Sequence, residues 1–251
     1  MLELADAADN ISMQWFRAKD LPVEAKPDET PVSIADREVE EKLRNLIAKN
    51  HSDSGIIGEE FGVHEASDGG TRFVIDPIDG TKNYVRGVPV WATLIALECD
   101  GSYEVGVVSA PALGYRWWGV RGIGAWRNGD EIRVSTTATI EDAFLSSDSY
   151  TTFEQWDPKR APAWNALTQR VTRSRGFGDF WSHMLVAEGA IDIAVEPSVT
   201  LWDLAASSVI VEAAGGRFTD LAGNPGPDGG SVIATNGLLH DDVVKALNAN
   251  T

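Results

Sequence analysis

The sequence predicts a mixed α/β protein of two intimately packed halves, and three observations point that way. Apolar runs with the length of strands crowd the region from about residue 73 to 134, separated by glycine, proline and Asn-Gly turns. Beyond about residue 143, strand-like and helix-like stretches alternate, as in an α/β unit. Ahead of both, two amphipathic stripes mark helices. No internal repeat or low-complexity tract breaks the chain. We therefore read an N-terminal α+β half over 1–145 and a C-terminal α/β half over 146–251, forming one compact unit with its weakest boundary at 148–159.

In chain order, residues 2–17 space Leu4, Ala8, Ile11, Trp15 and Phe16 three to four apart, which predicts a first helix. The proline-bearing stretch Leu21 to Pro31 interrupts it, and a second helix is predicted from about Ile34 to Lys49, burying Val39, Leu43, Leu46 and Ile47. Strands are expected at 73–76, 90–97, 104–109, 116–120 and 131–134, close enough to form one largely antiparallel sheet. Gly122-Ile123-Gly124 lacks the spacing of a dinucleotide fingerprint, and Asn128-Gly129 follows it, so this stretch reads as a hairpin. In the second half, strands are expected at Phe144–Ser147, Val171–Arg175, 191–195 and 231–235. Helices are expected near 158–170, near 180–189, from Asp203 to Ala214 and at 240–248.

Composition excludes several functions. With 38 acidic and 21 basic side chains the formal charge is −17, opposite in sign to the basic surface a nucleic-acid binder needs. A 43% hydrophobic content with 9 Trp and 8 Phe supports a packed core rather than disorder. No stretch approaches the ~18 uninterrupted apolar residues of a membrane span, and the N-terminus lacks the basic start and apolar run of a signal peptide. A soluble, cytoplasmic protein is expected. The single cysteine, Cys99, excludes an internal disulfide and a cysteine-built zinc site, and its apolar run predicts a small buried hydrophobe.

Four segments have chemical potential. In Phe73-Val74-Ile75-Asp76-Pro77-Ile78-Asp79-Gly80-Thr81, an apolar strand runs into two carboxylates, where a sheet presents oxygens to ligands. Pro77 removes an N–H and can turn the Ile78 carbonyl toward the same ions, and the N–H groups at Gly80 and Thr81 can receive a phosphate oxygen. Gly58-Glu59-Glu60 repeats a strand end followed by acids, which repel each other unless a cation intervenes. Trp202-Asp203 opens an apolar helix, and Asp36 stands at the start of the second predicted helix; taken alone, helix capping accounts for both. An isolated Asp-x-x-Asp-Gly is likewise an ordinary turn. Together, however, the candidate ligands are all oxygens, a set suited to magnesium or manganese.

These motifs resemble the inositol monophosphatase family of magnesium-dependent, lithium-sensitive phosphatases, in the family's order, with Lys26 to Asp36 resembling its additional N-terminal motif. Thr81 to Trp91, Arg116-Trp117-Trp118 and Gly178-Asp179-Phe180 are similar to the actinobacterial histidinol-phosphate phosphatases built on this fold. The resemblance implies a layered αβαβα sandwich and a homodimer. It also implies two to three Mg²⁺ per subunit: Glu59, Asp76, the Ile78 carbonyl and Thr81 around one, Asp76, Asp79 and Asp203 around a second, and Glu59 at a weaker third. Glu60 would orient water, Asp36 with Thr81 would help deprotonate the attacking water, and Gly80 with Thr81 would hold the phosphate.

For the substrate, the resemblance places Glu196 on its hydroxyls and Asp179 where inositol-specific members are generally uncharged. Two carboxylates near the leaving group favour a cationic alcohol, so a small phosphate monoester, L-histidinol phosphate, is expected, with inositol-1-phosphate as the alternative. Asn83, Arg86 and Trp91 are expected to line the same pocket. Arg173 and Arg175 are the nearby basic candidates, with Arg175 counted among the substrate residues. His183 reads as a core or pocket-edge residue.

Overall fold

A computed structural model describes the whole chain except Asp28, Asp68, Gly69, Tyr150, Asn250 and Thr251. Asp28, part of the N-terminal motif, thus lies outside the described residues. The first helix, α1 (Leu2–Trp15), is followed by a hairpin of β1 (Val23–Ala25) and β2 (Pro31–Ser33), and then by α2 (Ile34–Asn50). The apolar stripes of α1 and α2 bury Leu4, Ala8, Val39, Leu43 and Ile47 against one face of an eight-stranded sheet.

That sheet contains β3 (Gly55–Gly58), β4 (Gly62–His64), β5 (Thr71–Asp79), β6 (Ala92–Cys99), β7 (Ser102–Ala110), β8 (Tyr115–Val120), β9 (Gly124–Arg127) and β10 (Asp130–Ile132). Its order is β10-β9-β8-β7-β6-β5-β3-β4. Only β3 and β5 run parallel; the other neighbours are antiparallel. Adjacent side chains alternate across it: Trp117 is fully buried on one face, whereas Trp118 packs half-buried toward the helices on the other. The five-residue helix α3 (Thr81–Val85) leaves the end of β5.

A second, five-stranded sheet has the order β12-β11-β13-β15-β14. It comprises β11 (Phe144–Ser147), β12 (Arg173–Gly176), β13 (Ile193–Glu196), β14 (Arg217–Thr219) and β15 (Val232–Thr235). The short α4 (Thr152–Trp156), then α5 (Ala161–Arg170) and α8 (His240–Leu247), cover its outer face through Phe153, Trp164, Leu167, Val243 and Leu247. Between the two sheets lie α6 (Asp179–Ala187) and α7 (Leu201–Ala213), so the layers run αβαβα.

Every residue of α7 from Leu204 to Val211 is buried, which is what a helix pressed between two sheets requires. A Cβ at Gly106 of β7 would run into the carbonyl oxygen of Ala206, so glycine there permits the close approach of helix to sheet. This approach brings the N-terminus of α7 to the end of β5.

The structure corrects several expectations. The central strand does not stop at Asp76 but runs to Asp79. The proline-bearing stretch contains the β1–β2 hairpin, the boundary region contains α4, and β14 is an additional short strand. Cys99 ends β6 beside the Asp100-Gly101 turn and is only partly buried, not the core residue its apolar run suggested. Among the described residues, no helix is long and apolar enough to cross a membrane.

Candidate active site

The site begins with a bulge. Asp76 pairs with Leu94 and Asp79 with Ala92, so Pro77 and Ile78 together oppose Thr93. Proline has no N–H to contribute to the ladder and is tolerated at such a point. The Thr93 hydroxyl donates to the Pro77 carbonyl at 2.8 Å, and the Ile78 N–H donates to Asp76 Oδ1 at 2.9 Å. In a regular strand, residues three apart face opposite sides. Here the extra residue lets Asp76 and Asp79 converge with Asp203, their carboxylate oxygens within 4.8 Å of one another.

Asp203 arrives from α7, where Thr200 donates both its N–H and its hydroxyl to Oδ2 at 2.8 Å. Capping and membership of the cluster therefore coexist in one residue. Asp36 is built alike: its Oδ2 accepts from the Ser33 N–H at 2.8 Å and the Ser33 hydroxyl at 2.6 Å. Its Oδ1 lies 3.2 Å from the Thr81 hydroxyl, which is also 3.0 Å from the Ile78 carbonyl. One hydroxyl proton thus stands between two acceptors.

Glu59 and Glu60 follow β3 in a turn held by Glu40, a fully buried residue of α2 that accepts from the Glu60 N–H at 2.7 Å and the Phe61 N–H at 3.1 Å. Gly58 leaves room for that carboxylate, since a Cβ there would collide with it. From the β1–β2 hairpin, the Lys26 ammonium reaches Glu59 at 2.7 Å and Glu60 at 2.6 Å.

At the other end, Asp179 opens α6 with a left-handed φ of 49° directly after Gly178. Its Oδ2 accepts from the Asn83 amide at 3.0 Å, and that amide also donates to the Val90 carbonyl at 3.0 Å. The next N–H, of Phe180, donates to Asp79 Oδ2 at 2.6 Å, tying the start of α6 to the end of β5.

The carboxylates raise one another's proton affinity. Burial, then the charges of Glu59, Asp79 and Asp203, hold Asp76 well above the usual carboxylate range. Burial, then Asp179 and Asp203, does the same to Asp79. Burial raises Glu59, partly offset by Lys26. Asp179 is pushed up to about 7 by burial and then by Glu196 and Asp148. Burial alone would lower the Lys26 ammonium, but its bonds to Glu59 and Glu60 outweigh that and raise it. Carboxylates so placed ionise together only with cations between them, and an all-oxygen set fits hard divalent ions.

A cleft of about 690 Å³ opens over this cluster. Glu59, Asp79, Gly80, Thr81, Asn83, Asp179, Glu196 and Asp203 line it. Asp36, Glu60, Asp76 and Ile78 stand behind that surface, joined to it through Thr81, Lys26 and the aspartate cluster. Arg175 is not brought to the cleft. It lies exposed on the edge strand β12, bonds the Ser174 carbonyl at 2.7 Å and borders a separate depression with Trp164 and Thr168. Arg173 likewise turns to the Phe144 ring, 6.0 Å away. Arg86 is exposed, and Trp91 is buried against Tyr84 and Phe16.

Sequence reasoning gave Glu40 and Asp148 no role, named Lys26 only as the start of the N-terminal motif, and placed His183 at the core or pocket edge, where the structure has it. Asp36 and Glu40 fall on the buried stripe of α2 with Leu43 and Ile47, and acids on such a stripe were the available signal. Asp148 and His183 line the cleft, but no spacing marks them.

Fold and site together define a layered α/β protein with an oxygen-only acidic centre at the end of its central strand. The chain belongs to the inositol monophosphatase family, whose sequence profile matches residues 2–251. It is 51% identical over 253 residues to a histidinol-phosphatase of Mycobacterium tuberculosis, covering 99% of this chain and 96% of that one. It is 50% identical over 255 residues to a histidinol-phosphatase of Streptomyces coelicolor, covering 98% and 94%. A solved structure of an IMPase from Thermotoga maritima superposes with a TM-score of 0.86 at 34% identity, covering 99% of this chain and 95% of that one.

Proposed function

We propose that the protein hydrolyses L-histidinol phosphate to L-histidinol and inorganic phosphate. The observation that carries this reading is the pairing, in one cleft, of the aspartate cluster with the carboxylates of Asp179, Glu196 and Asp148 beyond it. A substrate with a dianionic phosphate at one end and an ammonium at the other matches both regions. The two relatives named histidinol-phosphatase, each identical at about half of all positions, support the same choice.

Glu59, Asp76, Asp79, Asp203 and the Ile78 carbonyl are the residues that would hold magnesium. Bound there, the ion supplies neutralisation of the phosphoryl oxygens, a more acidic water and stabilisation of the leaving oxygen. The Gly80 and Thr81 N–H groups orient the phosphate. As water attacks phosphorus, the Thr81 hydroxyl takes its proton and passes its own to Asp36 Oδ1, which burial has made more basic than an exposed aspartate. The phosphorus–oxygen bond to the alcohol breaks, the leaving oxygen takes a proton from a second water, and the proton held by Asp36 returns to the hydroxide so formed. Asp179 and Glu196 bind the amine, which orients the ester for attack. Family membership supports lithium inhibition and a homodimer as further parts of this reading.

Comparing kcat/KM for L-histidinol phosphate and myo-inositol 1-phosphate in saturating Mg²⁺ tests the choice. A preference of at least tenfold for L-histidinol phosphate is expected, and a tenfold preference for the inositol ester overturns it in favour of the second reading. The likeness to the Thermotoga maritima IMPase favours that second reading. A bisphosphate substrate is disfavoured: of the described cleft-lining residues, only Lys26 and Lys82 are lysine or arginine, and Lys26 is held by Glu59 and Glu60.

A further inference from the structure

His183 has no role in the chemistry above, yet it stands in the cleft wall on α6 with its side chain only 2% exposed. Its Nε2 lies 3.4 Å from Oε1 of Glu196, the last residue of β13, whose side chain is 8% exposed. The contact is loose: neither Oε1 of Glu196 nor Nδ1 of His183 has a well-formed hydrogen bond. Phe218 packs on the imidazole, 5.8 Å between ring centres, and limits where the ring can turn. A buried carboxylate left short of partners is costly, and such a group in a cleft wall is explained when a ligand completes it.

The identity of the partner matters. Lysine or arginine in place of His183 would give Glu196 a permanent counterion and cancel its attraction for a cation. An imidazole can restrain a carboxylate through one N–H without bringing a fixed charge. The Glu196 carboxylate then faces the cleft beside those of Asp179 and Asp148 with no permanent cation tied to it.

We infer that His183 is a positioning residue for substrate selection: it holds the Glu196 carboxylate toward the cleft so that the ammonium of an amino-alcohol phosphate closes the contact. The inference rests on the proposed reading of the cleft as a site for such an ester.

The test uses full-length protein in saturating Mg²⁺ with two esters, L-histidinol phosphate and p-nitrophenyl phosphate, which has no amine or hydroxyl for Glu196. His183→Phe is expected to lower the ratio of their kcat/KM values at least tenfold, chiefly through KM for L-histidinol phosphate. His183→Gln, which retains an N–H donor, is expected to keep the ratio within about threefold of the original. In a Glu196→Gln background, His183→Phe is expected to shift the ratio by less than twofold. A ratio unchanged by His183→Phe, or the same shift with and without Glu196, overturns the inference and leaves His183 as packing. If His183→Phe does not fold, His183→Asn, too short to reach Glu196, is measured in its place with the same expected ratio. If the unaltered protein prefers myo-inositol 1-phosphate, the substrate reading has failed. The same ratios taken with that ester, whose hydroxyls also need Glu196, then judge His183 separately.

Discussion

Asn83 and Asp179, far apart in the chain, are joined by a 3.0 Å hydrogen bond from the Asn83 amide to Asp179 Oδ2. The amide is anchored in turn by its 3.0 Å bond to the Val90 carbonyl, so it cannot swing away. This matters because Asp179 sits at a φ of 49°, a backbone region that costs an aspartate roughly 1 kcal/mol or more unless the surroundings hold it.

Removing the anchor should therefore free Asp179 before it touches the aspartate cluster. Asn83→Ala is expected to raise KM for L-histidinol phosphate about tenfold, the equivalent of the ~1–1.5 kcal/mol of one such bond, with a smaller effect on p-nitrophenyl phosphate. Steady-state kinetics on both esters checks it, and equal effects on the two would refute the selective role.

Asp79 belongs to the cluster itself and accepts the Phe180 N–H. Asp79→Asn should keep the fold, since the amide oxygen can still accept that bond, while kcat falls about a thousandfold or more. Isothermal titration with Mg²⁺ should show a site lost or greatly weakened. Full activity in this variant would remove the metal-site reading.

The raised proton affinities fix the sign of a pH effect. Asp76, Asp79, Glu59 and Asp179 retain protons in the folded state at pH values where the unfolded chain has released them. At these groups the folded state binds more protons, so together they make metal-free stability fall as pH rises above about 4, outweighing the opposite effect of His240, whose imidazole burial pushes down to about 4. The contribution of Asp179 is fully lost once pH passes about 7. Magnesium, which favours the ionised cluster, should oppose the fall. Melting temperatures at pH 5, 6.5 and 8 in chelator should decline and should converge upward in millimolar Mg²⁺. A flat or rising series in chelator would contradict the burial of these charges.

Thr81 stands between Asp36 and the Ile78 carbonyl. Thr81→Ala should lower kcat by about a hundredfold or more, in the range of a lost acid–base relay, while Thr81→Ser should retain most of it. A Thr81→Ala enzyme within threefold of the original would exclude the relay through Asp36.

Much of this was legible in the chain. The stripes of α1 and α2, the crowded strands of the first sheet and the alternation of the second half all follow from local periodicity, and local periodicity is written in consecutive residues. The acids at strand and helix starts were visible for the same reason. The bulge at Pro77-Ile78 was not, because it depends on which residues of β6 lie opposite. Arg175 looked near the site by sequence, but the edge strand β12 turns it to another surface. His183 read as a core or pocket-edge residue and stands in the cleft wall, whereas Glu40 looked like an ordinary helix residue until α2 was packed against the turn.

By itself the sequence determined the kinds of donor atoms available, their place at the ends of secondary-structure elements and an excess of acids, −17 in net charge. Only the tertiary structure decided which donors converge. Asp76, Asp79 and Asp203 meet because a bulge reverses one side chain and a glycine lets α7 close on the sheet. Convergence depends on distances between elements remote in the chain, and burial, which turns neighbouring carboxylates into a cation site, exists only once those elements have packed.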